Sequence, residues 1–327
     1  MQAIVMTGTG GPEVLVAREV PEPQAGAGEV VIRSEAIPVL FPETRLRSGE
    51  FPLGAPPPLV FGFQAAGVVT EVGSQVDPGL IGQRVVAATK GFGAYAEFVA
   101  ASADSLTFIP DRLSAVDAAA VLMNGSVAIP LLETAALSGV ETVLVEAAAT
   151  GIGSALTQLA KEYGAARVVA TAGGPAKAEQ ARKLGADVVI DHNDPAWTTR
   201  LREILGGATV DVVFDAIGGA SAAELLDVMT PPRGRMLGYG WLSGAPAQVS
   251  ASDLITRGLT FTGCAGPDWL ARVAEAGSTV LARAAEGGLT SLVEAVLPLD
   301  QASRAHRLLE DRTPLGKIVL RPESGVS

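Results

Sequence analysis

The sequence predicts an α/β protein in two parts: an irregular β-rich module, then a doubly wound parallel sheet whose strands alternate with helices. Three observations lead there. Up to about Asp117 the chain is a succession of short runs such as Val30-Val31-Ile32 and Ala66-Gly67-Val68-Val69, punctuated by Gly and Pro. Beyond it, short continuous apolar runs return about every 20 to 25 residues, as expected of strands buried on both faces. Between those runs lie helix-length segments with apolar residues at helical spacing.

In order along the chain, Met1 to Thr7 reads as a first strand and lacks the basic leader of a secretory signal. Pro52 and Pro56-Pro57-Pro58 mark a stiff extended loop, because proline fixes its own φ and has no N–H for a ladder. Buried strands are expected at Val143-Leu144-Val145, Val168-Val169-Ala170, Val188-Val189-Ile190, Val212-Val213-Phe214, Met236-Leu237-Gly238 and Leu259 to Thr262. After the first of these, Ile152, Ala155, Leu156, Leu159, Ala160 and Tyr163 form one helical stripe that Gly164 stops. Further helices are expected from Pro175 to Leu184, from near Pro195, as one long segment from Trp269 to Glu286, and from Ala302 to Leu309. Leu292 to Val296 and Ile318-Val319-Leu320 read as closing β elements, and Glu323 to Ser327 as loose. This texture divides the chain into residues 1–122, 123–264 and a return over 265–327.

Composition narrows the function classes. With 48% hydrophobic and 18% charged residues, a 327-residue chain can bury two cores without disulfides or metals. A net charge of -11, spread along the sequence, disfavours nucleic acid and anionic membrane surfaces as partners. Cys264 is the one cysteine, which excludes intramolecular disulfides and cysteine-rich zinc sets. Ala118 to Leu132 is interrupted by Asn124, Gly125 and Pro130 and is expected to fall short of the roughly 20 apolar residues that cross a bilayer. A cytoplasmic protein fits these features.

The strand ending at Val145 runs into Ala147-Ala148-Ala149-Thr150-Gly151-Ile152-Gly153 and then the striped helix. A glycine-bearing turn at a helix N-terminus suits a pyrophosphate: unpaired N–H groups and the positive helix end attract phosphate, and small residues admit it to the main chain. The glycine pattern is imperfect, with Ala148 and Thr150 at the first two glycine positions and Gly153 at the third. An NAD site would place an acidic residue about 20 residues on for the ribose hydroxyls. Here that stretch reads Thr171-Ala172-Gly173-Gly174, with Lys177 close behind, which leaves room and a cation for a 2′-phosphate and favours NADPH. The alternative for Lys177 is a solvated helix surface.

These residues carry a family resemblance. The chain resembles the zinc-independent medium-chain dehydrogenases/reductases, in the quinone oxidoreductase branch that includes zeta-crystallin. The likeness runs through Gly11-Pro12-Glu13-Val14-Leu15, Ala65 to Gly73, Gly82-Gln83-Arg84-Val85, Gly93-Ala94-Tyr95-Ala96-Glu97, Leu184-Gly185-Ala186-Asp187 and Gly316-Lys317-Ile318-Val319-Leu320. It implies a GroES-like substrate domain built from the N-terminal part and the C-terminal return, a Rossmann domain between them, an active site in the cleft, and a homodimer. Zinc-dependent relatives place a cysteine in the first catalytic loop and Gly-His-Glu later. Here Leu40 and Gly62-Phe63-Gln64 stand at those places, so no catalytic metal is expected, and His192 and His306 read as structural. The branch's polar segment is altered too, to Leu40, Glu43 and Arg45.

Hydride transfer needs the protein to hold the nicotinamide against the acceptor carbon and to offer a donor to the developing oxyanion. Candidate donors are Arg45, Tyr95 and Asn124, with Tyr239 as a further one, and Glu43 as a partner that orients Arg45 or takes a proton. Ile217, Gly238-Tyr239-Gly240 and Cys264 follow predicted parallel strands, where ligands bind in such sheets, and are expected to border the nicotinamide half. Substrates consistent with this reading are quinones and α,β-unsaturated carbonyl compounds. A coenzyme-binding, crystallin-like protein without useful turnover is the second reading, motivated by the altered segment at Leu40.

Overall fold

The β-branched runs near the start become strands separated by turns: β1 (Gln2–Met6), β2 (Leu15–Glu19), β3 (Glu29–Pro38), then α1 (Phe41–Ser48), β4 (Leu59–Val60), β5 (Gln64–Val72), β6 (Arg84–Ala88), β7 (Phe98–Ser102) and β8 (Leu106–Phe108). The computed structural model describes residues 1–89 and 91–323, so most of the terminal segment read as loose, residues 324–327, lies outside the described residues. Helix α1 is short because Gly49 adopts φ 87° at its C-cap, a left-handed conformation that glycine tolerates.

Helix α2 (Ala115–Ala135) corrects the reading of an interrupted apolar stretch. It is a continuous 21-residue helix, long and apolar enough by length and composition to cross a membrane, and 67% of its apolar window is buried inside the protein as in a core helix. Asn124, Gly125 and Pro130 do not break it. Proline removes one N–H from the ladder, while the Pro130 carbonyl accepts from Thr134 Oγ1 at 2.7 Å and from Arg272 Nη2 at 3.2 Å.

Next come β9 (Thr142–Val145), α3 (Gly151–Leu159), β10 (Arg167–Ala172), α4 (Pro175–Lys183), β11 (Val188–Asp191), α5 (Trp197–Leu205), β12 (Val212–Asp215), α6 (Ser221–Leu225), β13 (Arg235–Gly238), α7 (Ala251–Arg257) and β14 (Thr260–Gly263). The expected long helix after Gly263 is two, α8 (Pro267–Glu275) and α9 (Gly277–Ala285). The break falls at Ala276 and Gly277, where glycine's poor helix propensity is not offset by a buried face on α8. Strand β15 (Val293–Pro298), helix α10 (Ala302–Glu310) and strand β16 (Lys317–Arg321) complete the chain.

These elements form two compact units, Met1–Leu122 with the chain from Ser278 onward, and Met123–Gly277. The first is a GroES-like β module: a three-stranded sheet β2-β1-β4 and a seven-stranded sheet ordered β15-β16-β3-β5-β6-β8, with β7 also on β3. Its main core gathers Ile4, Met6, Ile37, Phe61, Tyr95 and Leu320. The second is a Rossmann unit, six parallel strands ordered β11-β10-β9-β12-β13-β14. The chain enters at the central β9 and reverses direction of travel between β9 and β12, the switch point at which open parallel sheets bind ligands. Val143, Leu144 and Val145 are fully buried, as their continuous apolar run predicts, and the stripe on α3 buries Ala155, Leu156 and Leu159.

Candidate functional site

At the end of β9 the backbone turns sharply, with Ala147 at φ 48° and Gly151 at φ 55°. The turn's carbonyls are held by the protein's own donors. Ala148 O accepts from Thr157 Oγ1 (3.1 Å), Ala149 O from Gln180 Nε2 (2.6 Å), Thr150 O from Ser154 N (3.2 Å) and Gly151 O from Ser154 Oγ (2.7 Å). With its acceptors so engaged, the turn presents donors. The Ser154 N–H makes the first bond of α3, so the N–H groups of Gly151, Ile152 and Gly153 are those a helix start leaves without intrahelical partners. A helix N-terminus with such amides is an anion site. Gly153 is required by packing: a Cβ there would sit 2.4 Å from Ala147 O, so only glycine lets α3 approach the turn. Thr150 is the N-cap, extended at φ -140°, and its side chain makes no capping bond.

Two residues expected to touch the coenzyme are corrected to supports of this turn. Ala148 is fully buried and its N–H donates to Thr171 O at 3.0 Å. Thr171 is buried at the end of β10, and its Oγ1 accepts from Ala147 N at 3.3 Å. Pattern reading did not single out Thr157 and Gln180, which pin the carbonyls. A threonine inside an apolar helical stripe was the available signal for the first.

At the end of β10, Gly173 and Gly174 lead into α4, with Lys177 in its first turn. The nearby carboxylate is Asp191 at the end of β11. Its Oδ1 accepts from Gly174 N (3.1 Å) and Asn193 N (2.9 Å), and these two bonds hold it below the usual range. No carboxylate stands on residues 171–174 themselves.

Across the switch point, Asp215, Gly238 and Gly263 lie side by side in register at the ends of β12, β13 and β14. Gly218 (φ 66°) has no room for a side chain, since a Cβ would meet Ala245 O at 2.5 Å. A Cβ on Gly240 would meet Ala216 O at 3.0 Å. Cys264 donates its N–H to Gly238 O at 2.8 Å, and burial pushes its thiol up to about 11, so it is an inert packing thiol. Tyr239 is corrected as a substrate donor: its hydroxyl is buried and has no hydrogen-bond partner, and burial and then the charges of Glu146 and Asp215 hold its proton more tightly than in a free phenol. Those two buried acids were missed in sequence, although an acid closing each of two otherwise apolar runs, Val143 to Glu146 and Val212 to Asp215, was the signal.

In the GroES-like unit, Glu43 is fully buried and accepts from Leu40 N (2.7 Å), Phe63 N (3.0 Å) and Tyr95 Oη (2.6 Å). It does not orient Arg45, whose Nη1 pairs with Glu50 at 2.6 Å while its guanidinium lies 5.0 Å over the Phe41 ring. Tyr95 is likewise corrected as a substrate donor. Its ring is fully buried and its proton is committed to Glu43, while His306 Nε2 lies 3.1 Å from the phenol oxygen. Burial, and then the charge of Arg47, drop His306 to about 3, so it stays neutral. Asn124 is half-buried within α2.

A zinc set does not fit. Leu40 and Phe63 present no ligand, His306 is committed to Tyr95, and the described residues hold no cluster of three or more His, Cys, Asp or Glu placed for a metal.

Residues 26–111 match the alcohol dehydrogenase GroES-like domain, and residues 151–283 the zinc-binding dehydrogenase domain. The chain is 36% identical to a 2-haloacrylate reductase from a Burkholderia species, over 99% of this chain and all of that protein. It is 35% identical to quinone oxidoreductase 1 of Escherichia coli, over 96% of this chain and 97% of that one. The crystal structure of an Escherichia coli quinone oxidoreductase complexed with NADPH superposes with a TM-score of 0.89 at 33% identity, covering 98% of this chain and 100% of that chain.

Proposed function

The chain belongs to the medium-chain dehydrogenase/reductase family, in its quinone oxidoreductase branch, and from that premise we propose that it is a zinc-independent, NADPH-dependent reductase of quinones or α,β-unsaturated carbonyl compounds. The observation that carries this reading is the turn before α3, whose carbonyls are engaged internally and whose leading amides stand at the switch point of a parallel sheet. In this reading the N–H groups of Gly151, Ile152 and Gly153 hold the diphosphate, and Thr150 adds a hydroxyl not used for capping. Lys177, with Gly173 and Gly174, receives the 2′-phosphate, where an acid would repel it. Ile217, Gly238 and Gly240 border the nicotinamide half with backbone groups.

NADPH supplies a hydride to the carbon conjugated to the carbonyl, and a proton completes the reduction. The protein's part is to bind, orient and stabilise charge. Arg45, its Nη1 shared with Glu50, stays a candidate donor for the substrate oxygen, while Tyr95 and Tyr239 are turned inward. Glu43 ties helix α1, which carries Arg45, to Phe63.

The test follows NADPH absorbance on purified protein against a panel of quinones and a panel of enones and 2-substituted acrylates. Turnover on either panel, with NADPH preferred to NADH, is expected. Tight NADPH binding without turnover on any acceptor would instead leave a coenzyme-binding protein, and no binding would remove the redox assignment.

A further inference from the structure

Two carboxylic acids stand at the ends of the central strands β9 and β12, which run in register with Val145 beside Phe214. Glu146 follows β9 directly and is 2% exposed, and Asp215 closes β12 and is 0% exposed. Glu146 N donates to Phe214 O at 3.3 Å, which places Glu146 next to Asp215 across the two strands, and burial and then Asp215 raise the Glu146 carboxyl well above its ordinary range. Glu146 also feels the N–H groups of Ile217 and Ala216, and Asp215 Oδ1 accepts from Ile217 N at 2.9 Å and Gly218 N at 2.7 Å. Just after β13 the Tyr239 hydroxyl is buried and unpaired, as are Glu146 Oε2 and Asp215 Oδ2. Neither acid is in an ion pair among the described residues. Two ionised carboxylates on neighbouring strands at such depth would repel without compensation, which favours a neutral Glu146.

We propose that Glu146 keeps its proton at neutral pH and donates it to Asp215, and that this bond makes Glu146 a positioning residue that holds the 215–219 turn against the end of β9 for coenzyme binding. The inference rests on the coenzyme reading above. The geometry makes the bond a tie between two glycine turns. On one side Glu146 immediately precedes Ala147, where the turn to Gly151 begins. On the other, Asp215 organises Ile217 and Gly218, and the next residues fix a second loop: Leu242 N donates to Ala216 O, Ser243 N to Ile217 O and Gly219 N to Ala245 O, each at 3.0 Å. Gly218 has no slack against Ala245. Loss of the proton would set two negative charges on neighbouring strands and push the turns apart. Burial and then Asp215 hold the Glu146 proton well above the ordinary carboxyl range, so the tie persists at neutral pH and fails as the solution becomes alkaline.

The test uses Glu146→Gln, whose amide donates to Asp215 at every pH, and Asp215→Asn, which reverses the roles. Calorimetry with NADPH at about pH 7 and about pH 9.5, on samples whose circular dichroism is unchanged, should show wild-type affinity falling about tenfold while both variants change less than about twofold. An infrared difference between wild type and Glu146→Gln at about pH 8 should contain a protonated-carboxyl band. A flat wild-type profile, variants as steep as wild type, or an absent band overturns the proposal. If none of the three proteins binds NADPH at either pH, the coenzyme reading falls and the positioning role with it, whereas the infrared band alone decides the proton on Glu146.

Discussion

Tyr95 Oη lies 2.6 Å from Glu43 Oε2 where neither side chain is exposed to solvent, and this contact joins helix α1 to the loop before β7. Burial lifts the Glu43 carboxyl from 4.5 to about 7, against the opposing pull of hydrogen bonds from Tyr95, Leu40 and Phe63 and the charge of Lys317. A carboxyl with a higher pKa folded than unfolded binds more protons in the native state between those two values. Stability therefore falls as pH rises from about 4.5 to about 7 and is level above.

Glu43→Gln removes that slope. Urea unfolding at about pH 5 and about pH 7 should show wild type losing about 2 kcal/mol that the variant keeps. Equal slopes for the two proteins would refute a raised Glu43.

Gly153→Ala places a methyl group 2.4 Å from Ala147 O, a backbone atom that cannot step aside. Helix α3 must shift, and NADPH affinity should fall more than about tenfold by calorimetry. Gly151→Ala, strained at φ 55° but in open space, should cost about 1 to 2 kcal/mol of stability and leave the helix seated.

Lys177→Ala tests the 2′-phosphate contact. NADPH should bind about tenfold more weakly while NADH affinity is unchanged, so the preference for NADPH over NADH shrinks about tenfold. Equal weakening of both would assign Lys177 to the helix surface.

Arg47 is buried and paired with Glu310 and the Gly10 carbonyl. Truncation to Ala strands the acceptors and opens a cavity, so chemical denaturation should report a loss of about 3 kcal/mol. A loss below about 1 kcal/mol would mean the pair contributes nothing measurable.

Local pattern in the sequence reaches the features that depend on neighbours along the chain. The buried strands, the stripe on α3 and the turn at Gly151 to Gly153 are visible because backbone chemistry and periodicity act over a few residues. Helix α2 was misread for the complementary reason: whether Gly125 and Pro130 end a helix is decided by packing and by Arg272, far away in sequence. The same holds for Glu43, Tyr95 and His306, whose meeting is a tertiary fact. Seen singly, Glu43 and Tyr95 look like catalytic groups, and only their mutual contact shows that their polar atoms face each other. Glu146 and Asp215 were legible as anomalies, each an acid closing an apolar run, but not as a pair.

Glu43 takes hydrogen bonds from the backbone of both Leu40 and Phe63, the two segments where the family's zinc-dependent members keep metal ligands. In this protein the Glu43 carboxyl ties those two segments together. Prolonged dialysis against a strong chelator should leave its melting temperature untouched, because the integrity of that junction answers to proton activity rather than to metal supply.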